Sequence, residues 1–188
     1  MPQNFPDYAN PLTGLPIIDP VVIDRKPVIV KISNYPHSVR PQWGLSMADH
    51  VFEYYLEDGL TRFAAVFYGN NASKTGPIRS GRIFDATLLQ MYTAIMVFNG
   101  ADQKVVDYFT ELDLANSLVV ERNGITPLWR DLSLPEPHNL FGDTAAMNNF
   151  YCFRQQRPVN NAWEFTFAWL FCPFGCQLGQ GSGPGPTP

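Results

Sequence analysis

Apolar and polar positions along the chain change period several times, and each change marks an element. Val51 to Glu57 and Thr61 to Tyr68 are runs rich in β-branched and aromatic residues, with Asp58-Gly59 between them. Both central residues of a type I′ turn need positive φ, so this Asp-Gly pair predicts an antiparallel hairpin over 51–68. Alternation places Glu53, Tyr55 and Glu57 on one face of its first strand. A two-residue turn sets Tyr55 opposite Arg62 and brings Arg62 onto the face of the glutamates. A three-residue turn sends Arg62 to the other face. Pro27 to Ile32 reads as a short buried strand, and Ala94 to Phe98, ended by Asn99-Gly100, as a central one. Helical spacing appears at Phe84, Leu88 and Met91, which predicts a helix over about 81–92 with Ser80 as its N-cap. Val105, Phe109 and Leu112 predict a second helix over 101–112, and Asp143 opens a third that runs to about Phe153. Residues 113–142 read as irregular.

The implied class is α+β: a single domain with a mixed β-sheet that includes the 51–68 hairpin, packed with two or three helices. Residues 1–26 read as an extended N-terminal arm and 27–172 as the domain. Residues 173–188 read as a Gly/Pro-rich disordered tail, because such a composition cannot build a core.

Composition narrows the function classes. The chain has 188 residues, 45% of them hydrophobic, enough for one domain with a sizeable core. A net charge of −4 disfavours a sequence-independent grip on nucleic acid, which needs a basic surface. No run of 18 apolar residues exists, so no transmembrane span is expected. Met1 to Asn10 is polar and shows no signal peptide. Cys152, Cys172 and Cys176 are odd in number and make no disulfide framework. They show no metal-type spacing with His37, His50 or His138, so neither a metal nor a cofactor is expected.

The stretch with most chemistry is Gly76-Pro77-Ile78-Arg79-Ser80-Gly81-Arg82. Two arginines flank a helix start, where the macrodipole already carries partial positive charge. Such an arrangement calls for the protein's own carboxylates or for a bound anion. Gly69 to Thr75 imitates a phosphate loop but lacks the four-residue glycine spacing and the Gly before Lys74. Glu53 and Glu57 imitate a glycosidase pair, yet on one strand they sit about 13 Å apart, too far for paired carboxylates. Ser80 lacks the glycines of a nucleophile elbow, so no catalytic residue is assigned. His138 follows a proline in a loop, where it is either satisfied by backbone or available as a general base. What remains is a charge constellation of Arg40, Arg62, Arg79 and Arg82 with Asp49, Glu53, Glu57 and Asp85. Arginine's planar fork suits bidentate carboxylate or phosphate recognition. The same residues also suit an internal ion-pair network.

Several pieces carry a resemblance. They are Asn10-Pro-Leu-Thr-Gly-Leu15, Arg40-Pro-Gln42 with Gly44-Leu45, Ala48-Asp49, Glu53, Gly59-Leu-Thr-Arg-Phe63, Gly76-Pro-Ile-Arg-Ser80 with Arg82, and Pro137-His-Asn-Leu140. In order and spacing these resemble the N-terminal domain of the YerB-like bacterial lipoproteins, a domain of unknown function, over roughly residues 10–142. The resemblance implies an extracytoplasmic, membrane-associated address through a lipid anchor that this chain lacks. It also implies a second domain that this chain lacks. Carried over residue by residue, its polar motif positions are Arg40, Asp49, Glu53, Arg62, Arg79, Arg82, His138 and Asn139. The function expected is an envelope-associated binding module whose arginine-rich site takes an anionic or cell-wall glycan ligand. The alternatives are a cell-wall hydrolase using an Asp or Glu with His138, or a structural domain with an internal ion-pair network.

Overall fold

The computed structural model describes residues 8–17, 19–121 and 127–155. The tail expected over 173–188 lies outside the described residues, as do Cys172 and Cys176. The elements in chain order are β1 (Val28–Ser33), β2 (His50–Tyr55), β3 (Thr61–Phe67), α1 (Ile83–Tyr92), β4 (Ile95–Phe98), α2 (Gln103–Glu111), β5 (Leu118–Val120), β6 (Leu128–Arg130), β7 (Leu140–Gly142) and α3 (Thr144–Gln155). Five strands form one mixed sheet in the order β2-β3-β1-β4-β5, and β6 and β7 form a separate antiparallel pair. The class is α+β, as the sequence implies.

β1 lies at the centre of the sheet, antiparallel to β3 and parallel to β4. All six of its residues are buried. Its alternation splits the core in two. Ile29 joins Ala64, Val66 and Met96 beneath α1 and α2, which contribute Ala86, Leu88, Leu89, Val105 and Phe109. Val28, Val30 and Ile32 join Ala65, Phe67, Ile95 and Val97 beneath α3 and the β6–β7 pair, through Met147, Tyr151, Leu128 and Leu140. Each such aliphatic side chain stabilises the fold by about 1.5–3 kcal/mol relative to exposure. Period two also puts Lys31 on the face of Ile29, under α1, where its side chain is fully buried.

The 51–68 hairpin forms, but its turn is longer than a two-residue Asp58-Gly59 loop. Leu56 N–H donates to the Leu60 carbonyl at 2.7 Å, so Glu57, Asp58 and Gly59 make a three-residue turn. Asp58 (φ 59°) and Gly59 (φ 71°) both adopt the left-handed conformation that made the pair informative. The extra residue shifts the register by one. Arg62 pairs with Tyr54 and Glu53 with Phe63, so Arg62 leaves the face of the glutamates.

The first helix begins later than expected, and Ser80 is not its cap. The Arg79 N–H donates to the Lys31 carbonyl (2.9 Å), the Asn99 N–H to the Arg79 carbonyl (3.1 Å) and the Gly81 N–H to the Gly100 carbonyl (3.0 Å). Backbone bonding to β1 and to the end of β4 keeps the chain extended through Gly81. Arg82 then occupies the cap position, and the Asp85 carboxylate reaches back to accept its N–H at 2.7 Å. At the other helices Asp102 caps α2 by accepting from Lys104 N–H (2.9 Å), and Asp143 Oδ1 accepts from Ala146 N–H at the start of α3 (2.9 Å). The region read as irregular holds β5, β6 and β7, each three residues long and too short to show alternation. Cys152 on α3 is disulfide-bonded, although the cysteine count gave no framework. No helix among the described residues is long and apolar enough to cross a membrane.

Candidate functional site

Arg79 lies extended where β1 and β4 end, with its backbone bonded to both sides. The neighbouring residues gather a cluster of cationic side chains from four parts of the chain. β1 supplies Lys31, β3 supplies Arg62, the 76–82 stretch supplies Arg79 and Arg82, and the segment leading to β7 supplies His138.

The floor is a buried ion pair. Lys31 Nζ lies 3.0 Å from Asp85 Oδ1, and both side chains are fully buried. The Tyr54 phenol also donates to Asp85 Oδ1, while its ring lies 3.6 Å from the Lys31 ammonium. With the Arg82 N–H on Oδ2, Asp85 is fully engaged from below. Burial lowers the Lys31 pKa to about 8 against the pull of Asp85, with Arg62 and Arg82 adding repulsion. Burial likewise raises Asp85, against the opposing effect of Lys31. The 3.0 Å contact and the three donors on one carboxylate support a charged pair at neutral pH.

Above this floor the cations outnumber their partners. The Arg62 Nη1–H donates to the Ser80 carbonyl at 2.8 Å. Its pKa is lowered to about 10 by burial first and then by Arg82 and Arg79. Arg82 pairs with Glu57 at 3.1 Å, but the Glu57 side chain is 68% exposed, so water weakens this pair. Arg82 Nε is buried and has no hydrogen-bond partner among the described residues. Among the described residues the Arg79 side chain donates a single long bond, 3.3 Å, to the Pro137 carbonyl. Its pKa is lowered by burial and then by Arg82. Among the described residues no carboxylate forms an ion pair with Arg79. His138 Nδ1 is also buried without a hydrogen-bond partner among the described residues. Burial, then Arg79 and Arg62, hold its pKa below the ordinary histidine value. The positive charges of Arg62, Arg79 and His138 are thus disfavoured by burial and by their cationic neighbours, and such a cluster favours an anion.

The structure does not bring all the sequence-derived positions together. Arg62, Arg79, Arg82 and His138 converge. Glu53 is exposed on the opposite face of the hairpin, where its Oε1 accepts from Asn34 (3.0 Å) and Thr61 (2.6 Å). Asp49 sits at the far end of the β2–β3 pair. It accepts from Asn10 Nδ2 (2.6 Å) and from the N–H groups of Tyr68 (2.5 Å) and Gly69 (3.0 Å). That bonding fastens the N-terminal segment to the sheet. Asn139 is buried, and its Oδ1 accepts from Arg130 Nη1 at 2.7 Å. Arg40 is exposed beyond the 3-10 turn His37–Val39. Lys31 and Tyr54 are the site residues the sequence reading passed over. The available signal was a lone lysine inside Val-Ile-Val-Lys-Ile, since a buried ammonium requires a partner. Among the described residues no three His, Cys, Asp or Glu side chains are grouped to hold a metal.

Fold and cluster define a class: a small α+β module with a cluster of cationic side chains where its central strands end. The chain belongs to the family described as "Protein of unknown function (DUF3048) N-terminal domain", which matches residues 12–157. It is similar to the "Putative lipoprotein YerB" of Bacillus subtilis (strain 168), with 37% identity over 150 residues, covering 75% of this chain and 42% of that protein. The crystal structure of the YerB protein from Bacillus subtilis is similar too, with a TM-score of 0.69 at 30% identity, over 79% of this chain and 50% of that one. The chain therefore spans less than half the length of the curated relative it matches.

Proposed function

We propose that this chain is an extracytoplasmic, membrane-associated binding module that holds an anionic ligand between Arg62, Arg79, Arg82 and His138. The observation that carries the reading is the free hydrogen-bonding capacity of the cluster. Arg79 has no carboxylate partner among the described residues, Arg82 Nε and His138 Nδ1 are buried and unbonded, and the nearest buried carboxylate is engaged by Lys31. An anion entering the cluster gains charge-assisted hydrogen bonds and relieves the repulsion among the cations. The address rests on the lipoprotein name of the Bacillus relative. A hydrolase built on His138 needs a carboxylate to orient the imidazole. No carboxylate is bonded to His138 among the described residues, and its electrostatic neighbours are arginines.

Calorimetric titration with inorganic sulfate and phosphate tests the proposal, using wild type, Arg79→Ala and Arg79→Lys. Arg79→Ala should weaken binding at least tenfold and leave the urea midpoint unchanged, because a half-buried arginine with one long hydrogen bond contributes little to folding. Arg79→Lys should retain part of the affinity, since charge survives while the planar fork is lost. Equal sulfate binding by all three proteins, or none by wild type, would remove the cluster as a binding site. A large loss of stability in Arg79→Ala would mark the cluster as internal scaffolding.

A further inference from the structure

β2 is an edge of the five-stranded sheet, and among the described residues it pairs with β3 alone. The bond from Leu56 N–H to the Leu60 carbonyl fixes which residues face β3. In the same register Tyr54, Phe52 and His50 are the hydrogen-bonded partners of Arg62, Ala64 and Val66. Val51, Glu53 and Tyr55 therefore turn their N–H and C=O groups outward, and no isolated bridge among the described residues reaches them. The strand carries no proline or lysine to blunt this edge. On the face of His50, Phe52 and Tyr54, α1 lies along the strand. Phe84 meets the Tyr54 ring edge-on at 4.7 Å, and Tyr92 meets Phe52 and His50 at 6.0 and 5.9 Å. Phe84 (45% exposed) and Met91 (58% exposed) are seven residues apart, so both stand on the flank of α1 that leans on β2. The one charged side chain of α1, Asp85, is buried, and the helix offers the strand edge an uncharged surface. On the other face Glu53 bonds Asn34 and Thr61 through Oε1, while its Oε2 has no partner among the described residues. From Asp49 to Thr61 the acidic residues are Asp49, Glu53, Glu57 and Asp58, and lysine and arginine are absent.

A free strand edge beside an uncharged aromatic seam suits an extended peptide. Its backbone satisfies the outward N–H and C=O groups, and its side chains alternate between the two faces. Side chains opposite Phe52 and Tyr54 rest on the seam with Phe84, Met91 and Tyr92. They are apolar, because a charge there would be desolvated without a partner. The side chain opposite Glu53 lies on the other face, where the free carboxylate oxygen selects a basic group. We infer that this domain binds an extended peptide segment of alternating apolar residues with a central lysine or arginine, added to β2 as a sixth strand. A second copy of the chain suits the edge less well, because it brings the same acidic residues to the interface. The inference is independent of the anion site, which uses none of these side chains.

The probe is the blocked nonapeptide Thr-Val-Thr-Val-Lys-Val-Thr-Val-Thr, titrated into the full chain by calorimetry and followed by amide hydrogen exchange. Wild type should bind it at least tenfold more tightly than the same peptide with glutamate at the centre. Saturation should slow exchange of the Val51, Glu53 and Tyr55 amides at least tenfold. N-methylation of the central lysine and its two nearest threonines should abolish binding, and N-methylation of the valines should not, because only alternate N–H groups face β2. Val51→Pro removes one outward donor and no bond to β3, so it should weaken the peptide at least fivefold and leave sulfate affinity unchanged. Glu53→Lys should reverse the preference between the lysine and glutamate peptides, which keeps the test decisive where a urea melt shows that the proline variant does not fold. Absence of binding, equal affinity of wild type for both charges, or equal loss from the two methylation patterns would overturn the inference. Slow exchange of the three amides in the peptide-free protein would also overturn it. Slowing that grows with protein concentration would give the edge to a second copy, and slowing independent of concentration would give it to the chain's own residues.

Discussion

At the scale of single residues, the costliest choice in this sequence is Lys31. A fully buried ammonium is tolerable only because Asp85 meets it at 3.0 Å and the Tyr54 ring lies beside it. Lys31→Met and Asp85→Asn should each destabilise the fold by about 3–5 kcal/mol, since each leaves a buried partner uncompensated. The double variant should cost clearly less than the sum, and a double-mutant cycle from urea melts measures that coupling. The pH dependence has a definite sign. In the unfolded chain Lys31 keeps its proton to 10.5, but in the fold only to about 8. Between these values the unfolded state binds more protons, so the contribution of Lys31 to stability rises with pH across that window. Wild type should gain stability relative to Lys31→Met between pH 8 and 10, read from melts at each pH. His138 titrates the other way with ligand. Burial, and then Arg79 and Arg62, hold its pKa below the ordinary histidine value, and an anion between the arginines relieves the repulsive part. Sulfate binding should therefore take up a proton and tighten as pH falls below 6.5, a slope that Gln in place of His138 should abolish. Calorimetry in buffers of different ionisation enthalpy checks this.

At the scale of elements, sequence legibility follows the range of the interaction that fixes each feature. The hairpin, β1, β4, α1 and α2 follow from local spacing and from a turn signal, so their positions could be read within a few residues. The face of Arg62 could not, because it depends on whether the turn holds two or three residues, and Asp58-Gly59 fits both. β5, β6 and β7 were hidden because a three-residue strand shows no alternation. β5 forms because β4 offers it a backbone partner, β7 because the 75–78 stretch does, and β6 because β7 does. Two glycines separate local from long-range control. A Cβ on Gly59 would meet nothing within 4 Å, so Gly59→Ala should cost only the left-handed strain at φ 71°, about 1–2 kcal/mol. A Cβ on Gly76 (φ 145°) would lie 2.8 Å from both the Leu140 carbonyl oxygen and Phe141 Cδ1. Gly76→Ala should therefore add an overpacking cost of about 1–3 kcal/mol to its backbone strain. It should also disturb the cluster by pushing the 76–82 stretch away from β7. Urea midpoints rank the two variants, and sulfate affinity should fall only for Gly76→Ala.

At the scale of the molecule, the site residues converge because the fold inserts one stretch among distant parts. Residues 76–82 bond to β1 through Pro77 and Arg79, to β7 through Ile78, and to the segment after β4 through Arg79 and Gly81. None of those pairings is readable from composition. Arg79 and Arg82 could be read as candidates, whereas Lys31, 54 residues before its carboxylate, could not be matched to Asp85. Because the cluster is assembled from separated segments, an anion bound there joins parts that must all separate when the chain unfolds. Binding should raise the stability of the whole domain by RT ln(1 + [L]/Kd), about 2.7 kcal/mol at a hundredfold excess over Kd. A site confined to the loop before β7 would protect that loop alone. Hydrogen exchange with and without saturating sulfate separates these cases. Amides of β1, β3 and β4 that exchange only through global unfolding should slow by about a hundredfold, the same energy expressed as a rate. Slowing limited to residues 131–139, with unchanged rates in the central strands, would place the anion on the loop surface and not between the arginines.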